Sequence, residues 1–182
     1  MQFRRFYHQD ARYHQCICID VNVYKPSGEA RNDRFLCVGR MGAEKGNLEA
    51  ALLCKELGVP LDIVTASETK AGEISDYAKR VMAVADGEKI KVWWEKDYTE
   101  ESKIKMMQTN KALLYTTNHA EITSHKLQEA LLCGQPVIVP RLGALPEIVT
   151  DGVDGYLCSS REDYIKAIRG VSKLKPAETY EN

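Results

Sequence analysis

The chain has 182 residues, of which 44% are hydrophobic and 28% are charged, and its net charge is −1. This composition is typical of one globular domain, with or without a short appendage, and its balanced charge gives no indication of a nucleic acid or an anionic membrane as a partner. No apolar stretch approaches the roughly 18 residues of a membrane-spanning helix, and residues 1–20 contain no apolar signal-peptide core. We therefore expect a cytoplasmic protein, and membrane association is not indicated.

The cysteines and histidines show no spacing typical of a metal site. No C-x-x-C, zinc-type Cys/His pattern or D-x-D occurs in the sequence, so we expect no metal. Four of the six cysteines lie in apolar runs, which favours buried free thiols in a reducing compartment. Cys16 and Cys18 leave two interpretations open, a redox or metal pair or the alternation of a strand.

Residues 1–30 differ from the rest of the chain. Aromatic side chains stand among Arg and His without a clear period, and a β-like run over residues 17–24 ends in a turn over residues 25–28. We predict that residues 1–30 are an interdomain or linker segment and that residues 31–182 form the domain.

From Arg34 onward, short apolar runs alternate with segments of helical periodicity. The runs predict strands over residues 35–38, 61–66, 90–94, 112–116, 136–139 and 156–158. Helices are predicted after residue 46 with Leu48, Ala51 and Leu52 on one face, and over residues 74–85, 100–108, 124–133, 146–149 and 162–171. This order indicates an α/β fold, a three-layer Rossmann-like domain with a parallel sheet of about six strands. In such sheets ligands bind beyond the carboxyl ends of the strands.

The loop after the first strand is rich in glycine and positive charge. Gly39, Arg40, Lys45 and Gly46 lead into a helix whose N-terminus carries a partial positive charge. This combination suits a phosphate or diphosphate, although the loop matches neither G-x-x-x-x-G-K-[ST] nor G-x-G-x-x-G. The alternative is a tight turn with solvated cations.

Two further strand ends carry candidate residues. Glu121 lies in the loop after the fourth strand and Glu129 in the following helix, so both carboxylates can face the same edge and accept hydrogen bonds from sugar or ribose hydroxyls. After the fifth strand, Gly143 permits close backbone approach, and N–H groups near it can hold an oxygen. The alternatives are solvated glutamates and an ordinary loop.

Taken in order, these segments resemble the C-terminal, donor-binding domain of a GT-B glycosyltransferase of the large retaining family 4. The matching pieces are FLCVGRM from Phe35, EKG at 44–46, Glu121 and Glu129 with seven residues between them, EALLCGQPVI from Glu129 and GALPEIV from Gly143. The sequence departs from the family pattern where Ile122 and Thr123 stand in place of the usual Phe-Gly.

The resemblance implies a role for each candidate residue. Arg40 and Lys45, in the loop that Gly39 opens, would bind the donor diphosphate and stabilise the charge of the leaving group. Glu121 would contact the donor sugar, so Arg40, Lys45 and Glu121 are the catalytic candidates. Glu129 would bind the ribose. Backbone groups of Gly143, Ala144 and Leu145 would line the sugar and phosphate pocket.

The resemblance also implies a function. We predict a hexosyltransferase domain that binds a nucleoside-diphosphate sugar without a metal or other cofactor. The acceptor-binding N-terminal domain would be missing from this chain or supplied by a partner subunit, so this chain alone would be incomplete and inactive. Two alternatives are a non-catalytic sugar-nucleotide-binding module and a fragment similar to a sugar-nucleotide epimerase.

Overall fold

The computed structural model describes residues 19–66 and 74–174, and these form one six-stranded parallel sheet with helices on both faces. The strands are β1 (Phe35–Val38), β2 (Leu61–Thr65), β3 (Ile90–Trp94), β4 (Ala112–Leu114), β5 (Val137–Pro140) and β6 (Gly155–Cys158). Their order across the sheet is β3-β2-β1-β4-β5-β6, and every pair is parallel. The predicted Rossmann-like α/β class is therefore confirmed.

Within these described ranges, six α-helices and two apolar cores complete the three layers. The helices are α1 (Asn47–Leu57), α2 (Asp76–Val84), α3 (Glu100–Thr109), α4 (His125–Leu132), α5 (Leu145–Ile148) and α6 (Arg161–Gly170). In the first core, Phe35 and Cys37 of β1 pack with α1, α2 and α6. In the second core, on the other face of the sheet, Leu36 and Val38 pack with α3, α4 and α5. A strand buried on both faces reads as a continuous apolar run, and this explains why β1 was visible in the sequence. None of the helices in the described ranges is long and apolar enough to cross a membrane.

Local capping explains where several helices begin. The side-chain oxygens of Ser75, Thr99, Ser124 and Ser160 each accept a hydrogen bond from a backbone N–H in the first turn of α2, α3, α4 and α6. These bonds satisfy donors that have no partner within the helix. At its other end, α1 stops at Gly58, which has a φ of 66° and adopts the left-handed conformation that glycine tolerates.

The order of the strands creates a crevice between β1 and β4. The chain builds outward from β1 to β2 and β3, then crosses the sheet to β4 and builds outward in the other direction. The loops after β1 and β4 therefore separate at a topological switch point, where open α/β sheets bind their ligands. β4 is the shortest strand and pairs through two residues with each neighbour.

The segment before β1 lies along α3. Arg31 donates hydrogen bonds to the carbonyl oxygens of Met107, Asn110 and Cys133 at 2.9 Å each. Gln108 of α3 donates to the carbonyl of Lys25 at 2.8 Å. Residues 25–31 are thus attached to the second core, and the division of the chain at residue 30 stays a prediction.

Two local predictions are wrong. The β-like run does not form a strand over residues 19–24, because the backbone carbonyl of Asp20 accepts from Val23 and Tyr24 while its carboxylate accepts from Asn22, which closes a turn. The part of that run before residue 19, with Cys16 and Cys18, lies outside the described residues. Leu52 does not belong to the buried face of α1, since 48% of it is exposed.

The thiol interpretation is confirmed for the four cysteines in the described ranges. Cys37, Cys54, Cys133 and Cys158 are free and buried. Burial raises the pKa of Cys37 to about 12, so this thiol stays protonated at neutral pH and packs as a small apolar side chain.

Candidate functional site

The loops that follow β1 and β4 are joined by hydrogen bonds at the switch point. The hydroxyls of Thr116 and Thr117 donate to the carbonyl oxygens of Gly46 and Glu44, each at 2.7 Å. The backbone N–H of Asn118 also donates to the carbonyl of Glu44, at 3.1 Å. These bonds fix the basic loop relative to the loop that carries Glu121.

Gly46 allows this close approach. Its φ is 73°, and a Cβ at this position would lie 2.0 Å from the carbonyl oxygen of Thr116. Only glycine adopts this conformation without strain and leaves room for the neighbouring backbone. The glycine that the sequence placed in a phosphate-type loop therefore also determines how the two loops fit together.

Lys45 and Glu121 meet in this crevice. The Lys45 Nζ lies 2.5 Å from the Oε1 of Glu121, and only 18% and 12% of these side chains are exposed. The Lys45 stem passes close to Gly39, since a Cβ at Gly39 would lie 3.9 Å from the Cβ and Cγ of Lys45. The structure thus brings together two of the predicted site residues that lie far apart in the sequence.

Tyr115, which was not predicted from the sequence as a site residue, supports the same carboxylate. Its hydroxyl donates to the Oε1 of Glu121 at 2.8 Å. Burial acts to raise the pKa of Glu121, but the hydrogen bonds from Lys45 and Tyr115 outweigh burial and hold this pKa below its usual value of 4.5. Glu121 is therefore ionised at neutral pH and acts as a hydrogen-bond acceptor only. A polar side chain at the end of a predicted strand was the available signal.

Replacing Tyr115 by phenylalanine is expected to raise the pKa of Glu121 toward 4.5. The depressed pKa contributes stability that is complete above about pH 4.5 and is lost as the pH falls through the folded-state pKa. With one donor removed, the free energy of unfolding should fall by about 1 kcal/mol at neutral pH. The acid loss of stability from Glu121 should begin near the same pH as in the wild type, be smaller, and be complete at a higher pH, because only the folded-state pKa rises. An NMR titration of the Glu121 carboxyl carbon and urea unfolding at several pH values measure both effects.

Tyr164→Phe is the matched control for this change. The Tyr164 hydroxyl donates to the backbone carbonyl of Tyr115 at 3.1 Å and does not contact the carboxylate. The control should leave the titration of Glu121 unchanged. An unchanged titration in Tyr115→Phe would show that this hydroxyl does not stabilise the carboxylate.

Arg40, the second cation of the loop, differs from Lys45 in exposure. About two thirds of its side chain, 65%, is exposed, and its Nη2 lies 3.3 Å from the Oε1 of Glu44. Exposed ion pairs of this kind contribute little stability and exchange readily. Arg40 is therefore free to move toward an anion, whereas Lys45 is held in the crevice.

Glu129 lies in a separate cluster between α3 and α4. This glutamate is 7% exposed. The Nζ of Lys126 lies 3.1 Å from both of its carboxylate oxygens, and the Nζ of Lys103 lies 3.7 Å from its Oε2. Among the contacts of the described residues, none joins Glu129 to Glu121. Neither lysine was predicted from the sequence. Lys126 stands three residues before Glu129, a spacing that places the two side chains next to each other on a helix.

The loop after β5 supports the backbone beside Glu121. Gly143 has a φ of 58°, and a Cβ there would lie 2.5 Å from the carbonyl oxygen of Glu121. The Ala144 N–H donates to that oxygen at 2.8 Å, and the N–H of buried Leu145 donates to the carbonyl of Leu142 at 3.2 Å. Two N–H groups that were candidates for a ligand oxygen are therefore engaged within the protein. Close packing is the observed role of this loop.

The roles of the site residues in binding the diphosphate, the sugar and the ribose stay predictions. Within residues 19–66 and 74–174, no group of three or more His, Cys, Asp or Glu side chains is arranged to hold a metal ion. The expectation of a metal-free site likewise stays a prediction.

Comparison with known proteins identifies the family. The model of the family described as glycosyl transferases group 1 matches residues 25–182. The chain belongs to this family. The solved structures that this chain resembles are GT-B glycosyltransferases, and the family predicted from the sequence is confirmed.

Solved structures of glycosyltransferases share the fold. Anabaena HepE, crystallised with UDP and glucose, is 22% identical, with 85% of this chain and 45% of HepE covered and a TM-score of 0.67. The sucrose-phosphate synthase of Thermosynechococcus elongatus is 19% identical, with 87% of this chain and 42% of the synthase covered and a TM-score of 0.70. This chain therefore spans less than half of each of these proteins.

One curated protein matches a short part of the sequence. It is the N-acetyl-alpha-D-glucosaminyl L-malate synthase of Bacillus anthracis, which is 38% identical over 56 residues. Those residues are 31% of this chain and 15% of the synthase.

Proposed function

We propose that this chain is the donor-binding domain of a glycosyltransferase that transfers a hexose-type sugar from a nucleoside diphosphate to an acceptor. The acceptor would be bound by an N-terminal domain or a partner subunit facing the crevice between β1 and β4. The ligands of a similar protein support a sugar-nucleotide donor, since HepE was crystallised with UDP-glucose and also with UDP and glucose.

The pair formed by Lys45 and Glu121 carries this proposal. It joins a cation to an ionised acceptor at the switch point, at 2.5 Å and with little exposure. A sugar nucleotide presents both complementary groups, an anionic diphosphate and neutral hydroxyls. Lys45 would bind the diphosphate, and Glu121 would accept a hydrogen bond from a hydroxyl of the donor sugar.

Three further groups would complete the donor contacts. Arg40 would approach the diphosphate by leaving Glu44, a change that costs little because this pair is exposed. Glu129 would accept hydrogen bonds from the ribose hydroxyls. The N-terminus of α1 lies directly after Lys45 and adds a partial positive charge on the same side.

The proposed chemistry is electrostatic. During transfer the bond between the anomeric carbon and a diphosphate oxygen breaks, and its electron pair stays on the diphosphate. An acceptor hydroxyl oxygen forms a bond to that carbon and gives up its proton, which the departing diphosphate would take up. Negative charge develops on the departing diphosphate, and the fixed Lys45 cation and mobile Arg40 would stabilise this charge. A positioned lysine needs no reorganisation at that moment, so Lys45 would stabilise the departing diphosphate as well as the bound donor.

Calorimetric titration tests the proposal. The chain is titrated with UDP, GDP and ADP, then with the matching glucose nucleotides, and hydrolysis of each donor is measured in parallel. We expect one nucleoside diphosphate and its matching glucose nucleotide to bind at micromolar concentration, with no hydrolysis of the glucose nucleotide. Turnover by this chain alone would show that no partner domain is needed, and failure of all these ligands to bind would overturn the proposal.

A further inference from the structure

Lys103 is a buried lysine on α3. Only 6% of its side chain is exposed, and its Nζ lies 2.6 Å from the Oε1 of Glu100 and 3.7 Å from the Oε2 of Glu129. Lysine is almost never buried unless it is paired. The carboxylates of Glu100 and Glu129 therefore explain how the Lys103 ammonium group can be buried. They hold it against the buried side of the Glu129 carboxylate.

Lys126 contacts the same carboxylate from a more open position. Its Nζ lies 3.1 Å from both oxygens of Glu129, and 37% of its side chain is exposed. Unlike Lys103, it can move into solvent without leaving a charge buried. The two lysines on Glu129 thus differ in how easily they can be displaced.

Lys103 itself is fixed by the segment before β1. The Tyr24 hydroxyl donates a hydrogen bond to the same Glu100 oxygen that Lys103 contacts, and the Tyr24 ring packs against the second core. Burial acts to lower the pKa of Lys103, but the contacts with Glu100 and Glu129 outweigh burial and hold this pKa above its usual value. Lys103 therefore remains a cation at neutral pH.

We propose that Lys103 is a positioning residue for ribose recognition: it holds the Glu129 carboxylate in place while the ribose hydroxyls displace Lys126. This inference rests on the proposed function. A carboxylate binds a diol with both oxygens, and Lys126 occupies both in the unliganded chain. Without Lys103, Glu129 would face Lys126 alone, and the hydroxyls would have to break a stronger pair.

Comparison of two ligands on three variants tests this role. The ligands are the nucleoside diphosphate that binds the wild-type chain and its 2′,3′-dideoxy analogue. Lys103→Met is expected to weaken binding of the ribonucleotide by about tenfold and to leave the dideoxy analogue unchanged, because it removes the buried cation that pairs with the Glu129 carboxylate. Lys103→Arg should restore most of the difference. Lys126→Met should bind the ribonucleotide at least as tightly as the wild type.

Tyr24→Phe provides a second variant if Lys103→Met does not fold. It keeps the ring in the core and removes only the bond to Glu100, so we expect a loss of about threefold that is again confined to the ribonucleotide. Circular dichroism and thermal unfolding establish that each variant is folded. Equal losses for both ligands, or no loss for either, would overturn the positioning role.

The outcomes also separate this inference from the proposed function. If the wild-type chain binds no nucleoside diphosphate, the proposed function itself fails. If it binds the ribonucleotide and the dideoxy analogue equally, the donor site stands while the role of Glu129, and with it that of Lys103, is wrong.

Discussion

Replacing Lys45 by alanine is expected to weaken binding of a nucleoside diphosphate by about ten- to a hundredfold, while binding of the free nucleoside changes little. Lys45 is the cation held in the crevice, and its Nζ would be shared between the diphosphate and Glu121. The substitution also leaves the Glu121 carboxylate, 12% exposed, without its counter-ion, which adds repulsion toward an anionic ligand. Calorimetric titration of the diphosphate, the monophosphate and the nucleoside measures the effect.

Lys111→Ala is the matched control. Lys111 directly precedes β4, so it lies at the amino-terminal ends of the strands, on the opposite side of the sheet from the crevice. Its Nζ is 3.4 Å from the Oδ1 of Asp33. The Lys111→Ala substitution removes the same charge from the chain as Lys45→Ala, but the affinity for the diphosphate should change by less than about twofold. If the two variants lose the same affinity, the effect reflects net charge and the phosphate role of Lys45 is wrong. Equal losses for nucleoside and diphosphate in Lys45→Ala would contradict it as well.

Replacing Gly46 by alanine is expected to lower the free energy of unfolding by about 3–5 kcal/mol. The left-handed conformation at a φ of 73° alone costs about 1–2 kcal/mol for a residue with a Cβ. The new methyl group would also lie 2.0 Å from the carbonyl oxygen of Thr116, which is backbone and cannot rotate away. The loops must separate, so the contact between Lys45 and Glu121 should also be lost. Urea unfolding and an NMR titration of Glu121 measure these two consequences.

Gly58 offers a control with the same conformation and no clash. Its φ is 66°, and a Cβ there would meet nothing within 4 Å. Gly58→Ala should cost only the conformational part, about 1–2 kcal/mol, and should leave the titration of Glu121 unchanged. Similar destabilisation in the two variants would show that contact with Thr116 is unimportant.

The central strands were predictable because they are buried on both faces. Parallel strands covered by helices read as continuous apolar runs, so β1 was placed at its observed bounds, Phe35–Val38. The edge strand β3 was also placed at its observed bounds, Ile90–Trp94, although only Ile90 of this strand is buried. The same logic failed at residues 17–24, where β-like residues surround Asp20 and hydrogen bonds to Asp20 close a turn over its described part. It also failed at Leu52, since α1 is apolar around much of its circumference and periodicity does not select one face.

The contacts within the site were not predictable in the same way. Glycine in a loop indicates special conformation or close approach, but Gly46 and Gly58 have almost the same φ and only the structure shows that Gly46 touches another strand end. Lys45 and Glu121 were both candidates, yet their pairing depends on the crossing of the chain from β3 to β4. The contact of Lys103 with Glu129 joins α3 to α4, and no local sequence pattern predicts a contact between residues of different helices.

The short central strand β4 couples folding stability to the geometry of the site. The sheet consists of one half built by β1, β2 and β3 and another built by β4, β5 and β6, and only two residue pairs join β1 to β4. The hydroxyls of Thr116 and Thr117 and the Lys45–Glu121 pair provide further connections between the halves. These bonds both connect the two halves and shape the crevice, so a ligand bridging Lys45 and Glu121 would add a further connection between the halves of the domain.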